Sequence, residues 1–223
     1  MAKFFTAENI RYMMYGAGWS LLLAVGALAF GLVLGTIGAA LKLSKRKVLN
    51  IIGHVYVEVF RGTPMLLQIM FFFLAVPTIY KSITGVRMNA NPYICGLIAM
   101  SLNSGAYETE LIRSGILGVD RGQWEACETI GLNYFQMMRF VILPQAFKRI
   151  VPPVISEFIT LIKDSSLIFS IGAVELLATA KVIGTRYFDF TIPLLMAGAF
   201  YMVMTLCISR IAARVERRLS VSD

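Results

Sequence analysis

Apolar residues run along this chain in long charge-free blocks separated by short polar segments. No charged residue lies between Arg11 and Lys42, between Arg61 and Lys81, between Arg87 and Glu108, or between Asp189 and Arg210. A helix needs about 20 apolar residues to cross a bilayer, so these blocks predict four transmembrane helices. A fifth block is interrupted: from Ile150 to Val174 the chain is apolar except for Glu157, Lys163 and Asp164, with Pro152-Pro153 at its start and Gly172 near its end. It predicts one further span followed by a bent or re-entrant stretch, because irregular backbone at membrane depth survives only when buried in protein or lining a cavity. The expected spans are about 13–41, 51–80, 90–117, 147–163 and 190–210, within a single domain over 1–223.

Composition agrees with this pattern. The 223 residues are 57% hydrophobic and 15% charged, with a mean hydropathy of +0.72, far from the roughly 25% charge of a soluble domain. The net charge of +8 is concentrated in three sets. Lys42, Lys45, Arg46 and Lys47 follow the first span, Arg121, Arg139, Lys148 and Arg149 precede or open the fourth, and Arg210, Arg214, Arg217 and Arg218 follow the fifth. In a five-span chain all three sets fall on one side. Since Lys and Arg near span ends are retained in the cytoplasm, the N-terminus is expected outside and the C-terminus inside the cytoplasmic (inner) membrane. This topology bias accounts for the charge better than nucleic-acid binding does. The apolar run from Met13 to Leu41 is too long for a cleavable signal core, and its heavier basic cluster follows it.

Other chemistry is sparse. Cys95, Cys127 and Cys207 lack metal or disulfide spacing, and the lone His54 makes no metal site and reads as a packing residue before a proton relay. There is no G-x-x-x-x-G-K-[ST] loop; the glycines at 16, 18, 26, 31, 35 and 38 sit in an apolar span, where they favour close helix packing. The chain therefore binds no cofactor of its own in this reading, and any energy source is external.

A polar stretch, Glu125-Ala126-Cys127-Glu128-Thr129-Ile130-Gly131 through Val141-Ile142-Leu143-Pro144, interrupts the apolar blocks. Acidic Asp120 and Glu125 near a helix start and Arg139 near the end of its continuation suit the helix dipole. Gly131 predicts a break between two short helices, and Pro144 redirects the chain into the next span. The spacing Glu125-Ala126-Cys127-x3-Gly131-x9-Val141-x-Leu143-Pro144 resembles the EAA loop of permease subunits of binding-protein-dependent ABC importers, with Cys127 in place of Ala and Val141 in place of Ile. Arg61-Gly62-Thr63-Pro64, Leu102-Asn103-Ser104-Gly105-Ala106-Tyr107-x-x-Glu110, Arg121-Gly122-Gln123-Trp124 and Ile162-Lys163-Asp164-Ser165-Ser166-Leu167 narrow the resemblance to polar amino-acid permeases of the histidine, glutamine and arginine type. It covers nearly the whole chain.

The resemblance implies an all-α membrane protein of the type I ABC importer permease class. Its cytoplasmic coupling-helix pair would span about 119–144, with Glu125, Ala126, Cys127, Gly131, Val141, Leu143 and Pro144 meeting a partner ATPase. That partner would bind ATP and Mg. A second permease subunit, identical or not, and an extracytoplasmic binding protein complete the implied assembly, which is a transporter and not an enzyme.

Ionisable groups at membrane depth are costly and mark function by default. Glu58, Arg61, Glu108, Glu110, Glu157, Lys163 and Asp164 qualify. Glu157 lies roughly 15 Å beyond Phe147 at about 1.5 Å per residue, near mid-membrane, and Asp164, two helical turns on, shares its face. Lys163 points elsewhere. Asn103 adds an amide midway along the third span. The family resemblance assigns Asn103, Glu157 and Asp164 to an intramembrane amino-acid site, with Ser104 as a weaker neighbour and Arg61 as a further candidate. Structural readings stand beside these: an inter-helix salt bridge for the acids with Lys163 or Arg61, an interhelical hydrogen bond for Asn103, and a kink at Gly62-Thr63-Pro64 whose freed carbonyls bond Arg61 or a substrate carboxylate. Two acids favour a cationic amino acid (arginine, lysine or histidine), with glutamine or cystine as the alternative. An ion-coupled secondary transporter and a membrane scaffold compete as classes, but neither needs the Gly131 rod.

Overall fold

The computed structural model describes residues 2–220, and the side chains of all of these but residues 2, 215, 216 and 218–220. The side chain of Arg218, in the last basic cluster, thus lies outside the described residues. The described chain is helical, with no strand among the described residues.

Helix α1 (Ala7–Lys42) starts at Thr6, whose side chain accepts from the Asn9 amide, and runs 36 residues. Apart from Asn9, Met13 and Leu23, its buried positions are small: Gly16, Ala17, Ser20, Ala24, Ala27, Gly31, Gly35, Gly38 and Ala39. Without water as a driving force, transmembrane helices associate by close packing on such residues. A Cβ at Gly31 would stand 2.7 Å from Ser104 Oγ, and Cβ atoms at Gly35 and Gly38 would run into Glu108 and Thr109. These contacts seat α1 against α5 (Pro92–Leu117). Near its start, Gly16 packs on Glu175 and Thr179 in the same way, which sets α9 (Leu176–Tyr187) against α1. The glycines at 16, 31, 35 and 38 therefore act in helix packing.

The region expected as one span over 51–80 is two helices. After α2 (Lys47–Gly62), Thr63 and Pro64 are extended, and the chain resumes as α3 (Met65–Met70), a π-turn over Phe71–Ala75 and α4 (Val76–Thr84). Pro64 cannot donate to the helix ladder, and the carbonyls freed at the break find side-chain partners, so a full break replaces the expected kink. Gln68 Nε2 donates to Phe60 O at 2.8 Å and to Thr63 O at 3.1 Å, and Asn103 Nδ2 donates to Phe60 O at 2.9 Å. Arg61 takes neither carbonyl.

Helix α6 (Arg121–Thr129) is capped by Asp120 and ends in a Schellman turn. The Gly131 amide bonds Glu128 O, the Leu132 amide bonds Cys127 O, and Gly131 adopts φ 77°, a left-handed value that suits glycine. Asn133 and Gln136 then form a capping box for α7 (Tyr134–Met137). A second π-turn, Met138–Ile142, joins α7 to α8 (Leu143–Asp164). Both π-turns lead into prolines in the next first turn, Pro77 and Pro144, where a wider turn relieves the ring's clash with the preceding carbonyls. Helix α8 runs unbroken past Pro152 and Pro153, tightens to a 3-10 helix over Ser165–Ile171, turns at Gly172 with φ 85° and leads into α9. The break bends the path by 52°, the physical form of the expected re-entrant stretch. Helix α10 (Thr191–Ser220) closes the bundle.

Three described helices, Ala7–Lys42, Met65–Thr84 and Thr191–Arg214, are each long and apolar enough to cross a membrane, or up to four if the bent pair is one span. Helix α5 is long enough but carries Glu108, Glu110 and Arg113. Two of these are neutralised locally. Glu110 pairs with Lys42 of α1 and takes a two-pronged bond from Arg113, Nε at 3.0 Å and Nη2 at 2.9 Å.

Candidate functional site

The break between α2 and α3 faces α5 and α8 across a cavity of about 550 Å³, lined by Arg61, Gly62, Thr63, Pro64, Met65, Asn103, Tyr107, Glu157, Thr160 and Asp164. That lies within the roughly 300–1,000 Å³ of small-molecule sites. Four of the five residues expected to bind substrate, Arg61, Asn103, Glu157 and Asp164, thus meet at one space although they come from three elements. Glu157 and Asp164 share a face because they lie seven positions apart on continuous helix. Thr160, between them, completes the row. Exposed Lys163 is not among the lining residues.

No ion pair joins Glu157 or Asp164 to a cation among the described residues; the inter-helix salt bridge with Lys163 or Arg61 does not form. Arg61 is instead stacked on the ring of Tyr107, its guanidinium carbon 4.9 Å from the centroid. Asn103 is buried and its two amide hydrogens are taken, one by Phe60 O and one by Gln68 Oε1 at 3.1 Å. It therefore serves the fold as a donor and keeps only Oδ1 as an acceptor toward the cavity.

Ser104 departs from the cavity wall. It is fully buried against Gly31, near enough to Glu157 for the two to interact, yet its hydroxyl completes no hydrogen bond of normal geometry. The reason is rotation: Asn103 and Tyr107, four apart on α5, face the cavity, whereas Ser104 and Glu108, one position on from each, turn toward α1. Glu108 was legible as an intramembrane acid but not as part of the site. Its side chain is fully buried, neither carboxyl oxygen has a partner, and it feels the charge of Glu157. Gln68, which locks the break and holds Asn103, carried no signal beyond its polarity in an apolar run.

Glu175 is a further buried acid, and four donors are directed at its carboxylate. It accepts from the Leu177 and Ala178 amides at 2.8 Å, from Tyr201 Oη at 2.8 Å and from Ser20 Oγ at 3.4 Å. This is a helix cap tying α1, α9 and α10 together.

The polar elbow forms a second candidate surface. Cys127 is buried in a small core with Ile116, Val119, Met137, Ile142 and Ala146, against which Trp124, Leu132 and Val141 pack. Cys127 and Val141 thus face inward and hold the elbow rigid. Arg149 donates to Gly118 O at the end of α5, and Gln145 Nε2 donates to Gln123 Oε1 at 3.1 Å, fastening the end of α5 and α6 to α8. Glu125 lies on the exposed side with Arg121 at 3.1 Å. At the outer edge, Ile130, Tyr134 and Phe135 are 73%, 67% and 67% exposed. Three large apolar side chains bared at the tip of a rigid elbow are unusual for a surface of their own. His54 is exposed and bonds Asn50 O through Nδ1 at 2.8 Å.

Residues 27–221 match the family described as the binding-protein-dependent transport system inner membrane component. The arginine transport system permease protein of Bacillus subtilis is 34% identical over 218 residues, covering 98% of this chain and 97% of that protein. The glutamine transport system permease protein of Escherichia coli is 32% identical over 212 residues, covering 95% and 94%. Among solved structures, an amino acid ABC transporter crystallised with histidines superposes with a TM-score of 0.89 at 33% identity, covering 95% of both chains. A helical bundle with a charged cavity at a broken helix and a rigid polar elbow accords with these matches, and the chain belongs to the binding-protein-dependent transport system inner membrane component family as a permease subunit of an amino-acid ABC importer.

Proposed function

We propose that this subunit carries a cationic amino acid, of the arginine, lysine or histidine kind, through the cavity at the α2–α3 break. The observation that carries the reading is the pair Glu157 and Asp164, which line one cavity and form no ion pair with a cation among the described residues, although the charge of Lys163, outside the lining, acts on Asp164. Unpaired carboxylates away from water are costly, and a guanidinium or ammonium entering between them offsets that cost. Glu108, buried and unpartnered behind Glu157, adds a third acid that deepens the negative field. Arg61, the one cation among the lining residues, suits the α-carboxylate, and Asn103 Oδ1 suits the α-ammonium. Ser104 acts through Glu157, without touching ligand.

Transport in this reading is alternating access by two permease subunits, with five spans each, the N-terminus outside and the C-terminus in the cytoplasm. Two ATPase subunits bind ATP and Mg, and an extracytoplasmic protein delivers the amino acid. The elbow over 119–144 seats its exposed Ile130, Tyr134 and Phe135 in the ATPase; Glu125, Ala126, Cys127, Gly131, Val141, Leu143 and Pro144 give it its shape. Closure of the ATPases would drive the two elbows together and turn the cavity outward. Ligand shifts the balance only through unequal affinity for the two states. Glutamine or cystine remains the second reading, favoured by the glutamine permease among the relatives.

The test is equilibrium binding of labelled arginine to the purified permease–ATPase complex without its binding protein. Glu157→Gln is expected to weaken binding at least tenfold, the effect of about 1.4 kcal/mol. Arginine binding unchanged in Glu157→Gln would overturn the role of Glu157, and no arginine binding by the unmodified complex where glutamine or cystine binds would overturn the cationic reading.

A further inference from the structure

We infer that Tyr107 is a positioning residue that holds the Arg61 guanidinium away from the acids of the cavity, so that the empty site stays divided into a cationic end and an anionic end. The inference rests on the reading of Glu157 and Asp164 as ligands of a cationic side chain.

Arg61 follows from its place in the chain. It stands at the last turn of α2, ahead of Gly62 and the extended Thr63–Pro64 pair, and it is the only cation among the residues lining a cavity that also holds Glu157 and Asp164. Arginine's long side chain has many rotamers, and the interior field draws a guanidinium toward carboxylates more strongly than water would allow. Left to itself, Arg61 would fold onto Glu157 or Asp164 and act as a tethered copy of the substrate's own cation. No such ion pair is present among the described residues. What holds the guanidinium instead is the face of Tyr107 at 4.9 Å, a contact that an arginine makes through both charge and planar stacking. Tyr107 is itself fixed by α5, one turn beyond Asn103, whose amide is anchored to Phe60 O and Gln68.

The consequence is selectivity against self-inhibition. With the ring present, an amino acid meets a guanidinium not paired to a carboxylate for its own carboxylate, and two acids that form no ion pair among the described residues for its side chain. With the ring absent, the protein's own cation neutralises the acids, and an incoming arginine must displace it. The ring face does the holding, and no hydrogen bond of the Tyr107 hydroxyl is involved in the stack.

Labelled arginine binding to the purified permease–ATPase complex tests this. Tyr107→Leu is expected to raise the dissociation constant at least tenfold, and Tyr107→Phe, which keeps the ring, to stay within about twofold of the unmodified protein. In an Arg61→Gln background, Tyr107→Leu is expected to add less than twofold, because the residue acts through Arg61. Wild-type affinity in Tyr107→Leu, loss of affinity in Tyr107→Phe, or a full additional loss in the Arg61→Gln background each overturns the inference. Should Tyr107→Leu fail to fold, Tyr107→Phe and Tyr107→His still decide, since a weaker ring face must then give an intermediate affinity. Glu157→Gln measured alongside separates the two ideas: if it leaves arginine binding intact, the reading of Glu157 as a ligand of the cationic side chain has failed whatever the Tyr107 variants do.

Discussion

Asn103 shows how one side chain divides its hydrogen-bonding capacity between fold and site. Its two donors close the α2–α3 break through Phe60 O and Gln68 Oε1, which leaves one acceptor for a ligand. Asn103→Leu is therefore expected to leave Gln68 Oε1 unpaired and Phe60 O with one donor fewer, costing about 1–3 kcal/mol. The check is a fall in the unfolding midpoint of the detergent-solubilised complex; an unchanged midpoint would mean that the break is held without it. Asn103, Glu157 and Asp164 were readable because a polar side chain in an apolar helix advertises itself. Ser104 and Glu108 were harder to place. Which way a helix turns its polar residues depends on the partner, and here the glycines of α1 draw Ser104 and Glu108 toward themselves, a facing that α5 alone does not encode.

At the scale of elements, the elbow was legible almost residue by residue, since capping and turn rules act locally. Asp120 caps, Gly131 turns, and Asn133 with Gln136 restarts the helix. The break at Thr63–Pro64 was legible only as a kink, because its completion depends on two side-chain amides, nearby Gln68 and distant Asn103, that donate to the loose carbonyls. Gly131 gives the clearest prediction at this scale. Its φ of 77° lies outside what proline's ring permits. Gly131→Pro is expected to reduce substrate-stimulated ATP hydrolysis by the reconstituted complex at least tenfold, while Gly131→Asn, which tolerates left-handed backbone, keeps most of it. Full stimulation in Gly131→Pro would show that the elbow's shape does not matter for coupling.

For the whole molecule, the long apolar blocks announced a helical membrane protein, but the order of helices in space came from small residues. Helix α1 is a spine, with α5 on its Gly31, Gly35 and Gly38 side and α9 at Gly16. The blocks announced a bent stretch after α8 but not its form, a turn of 52° into α9, since that form depends on the cap that Glu175 builds with Ser20 and Tyr201 as well as on Gly172. These contacts leave a charged cavity between the α2–α3 break, α5 and α8, and its acids are the feature on which the proposed load depends. The most direct measurement is ATP hydrolysis by the complete reconstituted importer, with its ATPase and binding protein, across arginine, lysine, histidine, glutamine, cystine and glutamate. The account predicts that a cationic amino acid stimulates hydrolysis most and that glutamate gives no stimulation. Strong stimulation by glutamine or cystine with none by any cationic amino acid would contradict it.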